Sequence, residues 1–248
     1  QTNMAMESGM MQKKLTLTKA IAASLALICA TPVVAETKTS TYNVYLRGIK
    51  AGQLKYAYAQ SGSNYSASGI LQSTGIVGAL AKYKFTASSS GKIVKGKHAP
   101  QSYQEDSNTG RRESQKSISY SNGIPRVTER KLPKSHWADP KKQKGTVDPM
   151  TAIALVLNDA SAKSVCNSKI DLFDGARRVT ITLSNPKKSG SMLKCSGLYK
   201  RVDGFSKREM SEGTQFPFAL NYALKGDTYR VSDMEISTLR GRARFVRQ

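Results

Sequence analysis

From Thr41 onward, apolar residues recur at every second position, the period of strands that bury one face. Tyr42, Val44 and Leu46 share one side, and beyond a turn expected between Gly48 and Gly52 the same side of a return strand carries Leu54, Tyr56 and Tyr58. Ala81, Tyr83, Phe85 and Ala87 alternate with Lys82, Lys84, Thr86 and Ser88, which gives a sheet with one apolar and one wet face. Asn122-Gly123 and Asp174-Gly175 sit between strand-like runs, where such dipeptides supply the positive φ angles of tight hairpins. Later, Val179, Ile181 and Leu183 alternate with polar residues, and Phe216, Phe218, Leu220, Tyr222 and Leu224 form a long apolar row. The pattern predicts a mainly β protein: a large antiparallel sheet coiled as a spiral or half-open barrel.

One stretch breaks this period. Lys131 to Gly145 (KLPKSHWADPKKQKG) has no periodicity and reads as a connector. It leads into GTVDPMTAIALVLN, where Asp148 is placed to cap a helix and Pro149 suits its first position. Met150, Ile153, Leu155, Val156 and Leu157 lie nearly all round that helix, so it is expected to be buried against the sheet as a plug, or as a lid over an apolar ligand.

The N-terminal residues change the compartment. Lys13, Lys14 and Lys19 precede the apolar run Ala20 to Ala30, and Val33-Val34-Ala35 follows as a small-residue cleavage signal. Residues 1–35 are expected to be a signal peptide, with Met10 or Met11 the better start. The run is too short for the ~20 residues of a membrane span, so none is expected after cleavage, and residues 36–248 are expected to form a single β-rich periplasmic domain. Cys29 would leave with the leader. Cys166 and Cys195 would then be two cysteines in an oxidising compartment and are expected to pair.

Charge narrows the partners. The chain carries a formal charge of +22, and the loss of three lysines and one glutamate with the leader barely lowers it. Basicity of this size ordinarily suggests nucleic acid, but an exported protein meets anionic lipids and lipopolysaccharide phosphates instead, so no nucleic acid is expected. In LRGRARFVR, Arg240, Arg242 and Arg244 share one face of a strand and form the candidate stripe for such a surface. His98 and His136 have no partner at metal spacing, no hydrolase elbow or nucleotide loop appears, and Asp171 and Asp174 read as strand and turn residues. No catalytic residue, metal or cofactor is therefore assigned.

Several segments in order, YNVYLRGIKAGQLKYAY, STGIVGALAKYKFTASSSGKI, KGTVDPMTAIALVL, CNSKIDLFDGARRVTITL and CSGLYKRVDGF, resemble the domain of unknown function 3108 family of exported Gram-negative proteins. The resemblance implies a periplasmic β-rich envelope protein and carries over no catalytic residues. A sheet around one helix is also similar to the half-barrels of periplasmic lipoprotein and lipid carriers, a likeness of fold alone. The leading expectation is a non-enzymatic protein that binds or scaffolds at cell-envelope components. The alternative is a carrier of an apolar or acyl ligand held between sheet and helix, and the third is a hydrolase whose site distant segments assemble. N-terminal sequencing of the exported protein is expected to begin at Glu36; an intact leader, or an acylated Cys29, would refute the leader assignment.

Overall fold

The computed structural model describes residues 36–129, 132–238 and 241–248; the expected leader lies outside them. The alternating pattern folds as a chain of hairpins. These are β1 (Glu36–Leu46), β2 (Ile49–Ser61), β3 (Asn64–Ser73), the short helix α1 (Gly75–Leu80), β4 (Lys84–Val94), β5 (Lys97–Asn108), β6 (Glu113–Ser121) and β7 (Ile124–Glu129). The connector then enters helix α2 (Pro149–Leu157). Beyond it come β8 (Ala160–Ser161), β9 (Ser168–Phe173), β10 (Arg178–Ser189), β11 (Met192–Asp203), helix α3 (Lys207–Glu212), β12 (Gln215–Lys225), β13 (Thr228–Thr238) and β14 (Gly241–Arg247).

All strand pairings are antiparallel, in the order β7-β6-β5-β4-β3-β2-β1-β14-β13-β12-β11-β10-β9, with β8 paired to β13. The two halves of the chain are therefore joined through β1 and β14, in register from Tyr42 opposite Arg247 to Leu46 opposite Ala243. The sheet does not close, since β7 and β9 are not paired to each other. Val147 spans the gap at β9: its N–H donates to the Asp171 carbonyl at 2.8 Å, and its carbonyl accepts from the Phe173 N–H at 2.9 Å. Gly145 N–H reaches the Gly123 carbonyl of the β6–β7 turn at 3.0 Å, and Lys116 Nζ reaches the Asp174 carbonyl at 2.8 Å. The connector thus bridges the sheet's edges and satisfies backbone groups that would otherwise be left bare.

The turns follow local chemistry, with two departures from the sequence expectation. The β1–β2 turn is the pair Arg47-Gly48, both at positive φ, and Gly52 lies within β2. Asn122-Gly123 forms the expected two-residue hairpin, also at positive φ in both residues. Asp174-Gly175 instead begins a four-residue loop between Phe173 and Arg178. There the Asp174 carboxylate accepts from the N–H groups of Ala176 and Arg177 at 2.8 and 2.7 Å, a side-chain turn that replaces the tight dipeptide. The segment from Gly75 to Leu80 is the short helix α1.

Cys166, just past the helix and β8, forms a disulfide with Cys195 on β11, with the Cα atoms 5.3 Å apart. Both residues are buried. The bridge closes a loop with a sequence separation of 29, for which the chain-entropy argument gives stabilisation of roughly 3 to 4 kcal/mol. Cys166→Ser is expected to lower the free energy of urea unfolding by about that amount with the fold retained. A loss below half a kcal/mol, or two titratable thiols in the native protein, would show that the bridge contributes little.

Candidate functional site

The site is built around α2. Asp148 caps it, with one carboxylate oxygen accepting from Thr151 N–H at 2.9 Å, and Pro149 stands at the first helical position, as the sequence predicts. The other carboxylate oxygen accepts from Thr151 Oγ1 at 2.6 Å and from Ser89 Oγ of β4 at 2.8 Å. Tyr65 OH of β3 lies 2.8 Å from Thr151 Oγ1, which is 2.9 Å from Ser89 Oγ. Asp148 and Thr151 are completely buried. Sequence reasoning finds the cap and misses this network. The signal for it is an acidic residue leading an all-apolar helix, because such a carboxylate is carried inside with the helix and has to find donors there.

Burial pushes the Asp148 carboxyl above its ordinary range, against the pull of the Thr151 and Ser89 donors. Burial likewise raises the hydroxyl of Tyr65 to about 12 and that of Tyr222 to about 12, so both remain neutral donors. The tyrosines Tyr42, Tyr56, Tyr58, Tyr65, Tyr222 and Tyr229 are buried in the core. Tyr56 OH donates to Asn158 Oδ1 at 3.0 Å, which holds the C-terminus of α2 as Asp148 holds its start. Tyr58 OH lies 3.0 Å from Nε2 of His98, so the histidine is engaged with a tyrosine.

The opposite part of the interior is not filled. Leu54, Leu71, Phe85, Phe218, Met234 and Phe245 project from strands all round the sheet towards Met150, Ile153, Val156 and Leu157 of α2, and between them lies a cavity of about 320 Å³. Its lining is apolar apart from the tyrosine Tyr199. Met150, Val156 and Leu157 are buried, whereas Ile153 and Leu155 are half-buried, as are Leu54, Phe85, Phe218 and Phe245. The sequence expectation of a helix buried on every side is corrected here: one side of α2 faces an opening. The physical reason is barrel size. A sheet of this many strands encloses more space than inward side chains fill, and a nine-residue helix occupies only part of it. Gly69 on β3 lets α2 come close, since a Cβ there would stand 3.2 Å from Met150 Sδ.

The cationic stripe is also corrected. Arg242 and Arg244 share the outer face of β14 and are exposed, and Arg240 lies outside the described residues. Arg244 pairs with Asp233 at 3.4 Å and Glu235 at 3.6 Å, both on the adjacent β13, so its charge is largely compensated. A stripe read from one strand cannot show what its neighbour presents. Asp171 accepts from Thr180 Oγ1 at 2.6 Å and pairs with Arg178 at 3.6 Å, a strand-face role.

Among the described residues no group of three or more His, Cys, Asp and Glu could hold a metal ion, and no helix is long and apolar enough to cross a membrane. A family model described as "Protein of unknown function (DUF3108)" matches residues 41–199. No curated protein matches the chain. The chain is similar in structure to a β-barrel-like protein of domain of unknown function DUF1849 from Brucella abortus, with 12% identity and a TM-score of 0.47 over 87% of this chain and 96% of that one.

The burial of Asp148 makes stability depend on pH. With its folded pKa raised above that of the unfolded chain, the native state holds this proton more tightly, so the carboxyl's contribution falls as pH rises from about 4 through the raised value. Asp148→Asn is expected to cost about 1–2 kcal/mol at roughly pH 4, where the parent keeps its full contribution. The gap should narrow as pH rises. Urea melts of both proteins across that range check it, and a gap independent of pH would overturn the assignment.

Proposed function

The chain belongs to the DUF3108 family, and from that premise we propose that it is a non-enzymatic periplasmic protein that shelters an apolar ligand, such as an alkyl or acyl chain, between α2 and the sheet. The observation that carries this reading is the apolar cavity of about 320 Å³, which falls at the small end of the ~300–1,000 Å³ of ligand sites. Its walls are aliphatic and phenyl side chains left half-buried. An unfilled apolar mouth is costly, because each side chain withheld from full burial forgoes part of the ~1.5–3 kcal/mol that burial would contribute. A ligand that covers those walls recovers that free energy.

The leader-like N-terminal sequence and the Cys166–Cys195 bridge support the periplasm. The hydroxyls nearest the site support a binding role over a hydrolytic one. Ser89 and Thr151 both donate to the Asp148 carboxylate from buried positions, an arrangement that fixes the helix and commits both hydroxyls to it. Work at the cell envelope would then consist of holding or passing on an apolar molecule.

An environment-sensitive naphthalene dye is expected to bind the purified protein and to be displaced by decanol. Ile153→Trp, which fills the mouth from a half-buried position, is expected to weaken dye binding about tenfold or more, the effect of losing ~1.4 kcal/mol. Its stability should stay within about half a kcal/mol of the parent. Undiminished binding in this variant would place the dye elsewhere and refute the cavity as the site.

A further inference from the structure

One end of the sheet carries apolar side chains that the fold leaves in water. The antiparallel order brings the β1–β2 turn, the β3–β4 connection through α1 and the β5–β6 turn to this same end. Residues 79 to 84, the run Ala-Leu-Ala-Lys-Tyr-Lys from the end of α1 to the first residue of β4, are exposed at every position. Leu80 is 84% exposed, and Ile49, the first residue of β2, is 64% exposed. A single exposed aliphatic is ordinary; here two stand at one end of the sheet, one of them within a continuous exposed run.

The run is presented by a connection tied down at both ends. Thr74 N–H donates to the Ala51 carbonyl of β2 at 3.2 Å, Ser73 N–H donates to the Tyr83 carbonyl at 2.9 Å, and Tyr83 N–H donates to Ser73 Oγ at 2.9 Å. A Cβ on Gly78 would stand 3.1 Å from the Ser73 carbonyl oxygen, so glycine lets α1 lie close on the end of β3.

Cations adjoin the same run. A groove of about 600 Å³ is lined by Gly78 of α1, by Lys82 and Lys84, and by Arg111 and Arg112 of the β5–β6 turn. All four cations are exposed, and none makes an ion pair among the described residues. Glu113, the one carboxylate in the lining, accepts from Asn108 Nδ2 at 2.6 Å. The turn is braced, with Thr109 N–H donating to the Arg112 carbonyl at 3.0 Å and Arg112 N–H to Thr109 Oγ1 at 3.2 Å. It also lies close to the run, since a Cβ on Gly110 would stand 3.1 Å from the Lys82 carbonyl oxygen.

We propose that this end of the sheet is a docking surface for an anionic lipid bilayer. Leu80 and Ile49 enter the acyl boundary, and Lys82, Lys84, Arg111 and Arg112 meet the headgroup phosphates. Exposed aliphatics beside unpaired cations match the two layers of such a surface, apolar beneath and negative above. Nucleic acid would answer the cations and leave Leu80 and Ile49 in water. The surface is distinct from the β14 arginines and does not rest on the cavity reading.

Cosedimentation of the purified exported protein with phosphatidylcholine vesicles, plain or mixed with phosphatidylglycerol, tests the proposal. The parent is expected to bind the mixed vesicles about tenfold or more tightly than the plain ones, with the preference shrinking as salt screens the exposed charges. The quadruple variant Lys82→Gln, Lys84→Gln, Arg111→Gln, Arg112→Gln should lose that preference, since each basic residue near an anionic surface contributes about fivefold. Leu80→Gln should weaken binding to the mixed vesicles by roughly fivefold to tenfold and keep the preference. Thermal midpoints of both variants should match the parent, because the altered positions are exposed. Leu80→Cys carrying a nitrobenzoxadiazole group should shift its emission to the blue on the mixed vesicles. Equal recovery with both lipids, or none with either, overturns the bilayer as the occupant. A preference that survives in the quadruple variant, or unshifted emission from the labelled protein when it is bound, overturns this end of the sheet as the surface.

Discussion

Two sheet edges that curl towards each other without pairing set the terms for the rest of this protein. Bare edges expose a row of unsatisfied amides and carbonyls, and the chain answers with the segment between its two halves. Val147 bonds to β9 on both of its backbone groups, and Gly145 bonds to the β6–β7 turn. That segment also delivers α2 to the interior. The bridging of the gap and the entry of the helix are therefore one event, and Asp148, at the junction, is fastened to Thr151 within the helix and to Ser89 on β4.

A sheet this wide encloses more volume than its inward side chains occupy, and the two parts of the interior deal with that differently. Along α2, tyrosines bring bulk, and three of their hydroxyls find partners: Thr151 near the helix start for Tyr65, Asn158 at its end for Tyr56, and His98 for Tyr58. Along the side of α2 that faces the cavity, leucine, methionine and phenylalanine have no such anchor, and the helix is too short to cover them all. The packing that secures the helix at both its termini leaves one side of it beside open apolar space.

Charge follows the same division between satisfied and available. On the outer face, Arg244 is met by Asp233 and Glu235 from the neighbouring strand, and beyond the end of α2 Asp159 is met by Arg230 and Arg247. The cations of the β4 start and the β5–β6 turn make no ion pair among the described residues, although Glu113 lies in the same groove. A basic composition is thus spread unevenly in its effect, compensated at some strand faces and not at others.

The sequence by itself determined the strands and the cap and first residue of α2, because each depends on residues near in the chain, a period of two and Asp148 before Pro149, and it offered Cys166 and Cys195 as the cysteines that could pair. It also carried the order of segments that marks the family. What only the tertiary structure decided depends on neighbours far apart in sequence. The half-burial of Ile153 follows from the width of the whole barrel, the neutralisation of Arg244 from β13 beside it, and the Ser89–Asp148–Tyr65 network from three elements meeting at one point. The Asp174 loop took its form from a carboxylate folding back onto Ala176 and Arg177, a competition between two local turns that the dipeptide alone could not resolve. Periodicity states which face of a strand is apolar; only the folded, unclosed sheet states how much space that face encloses.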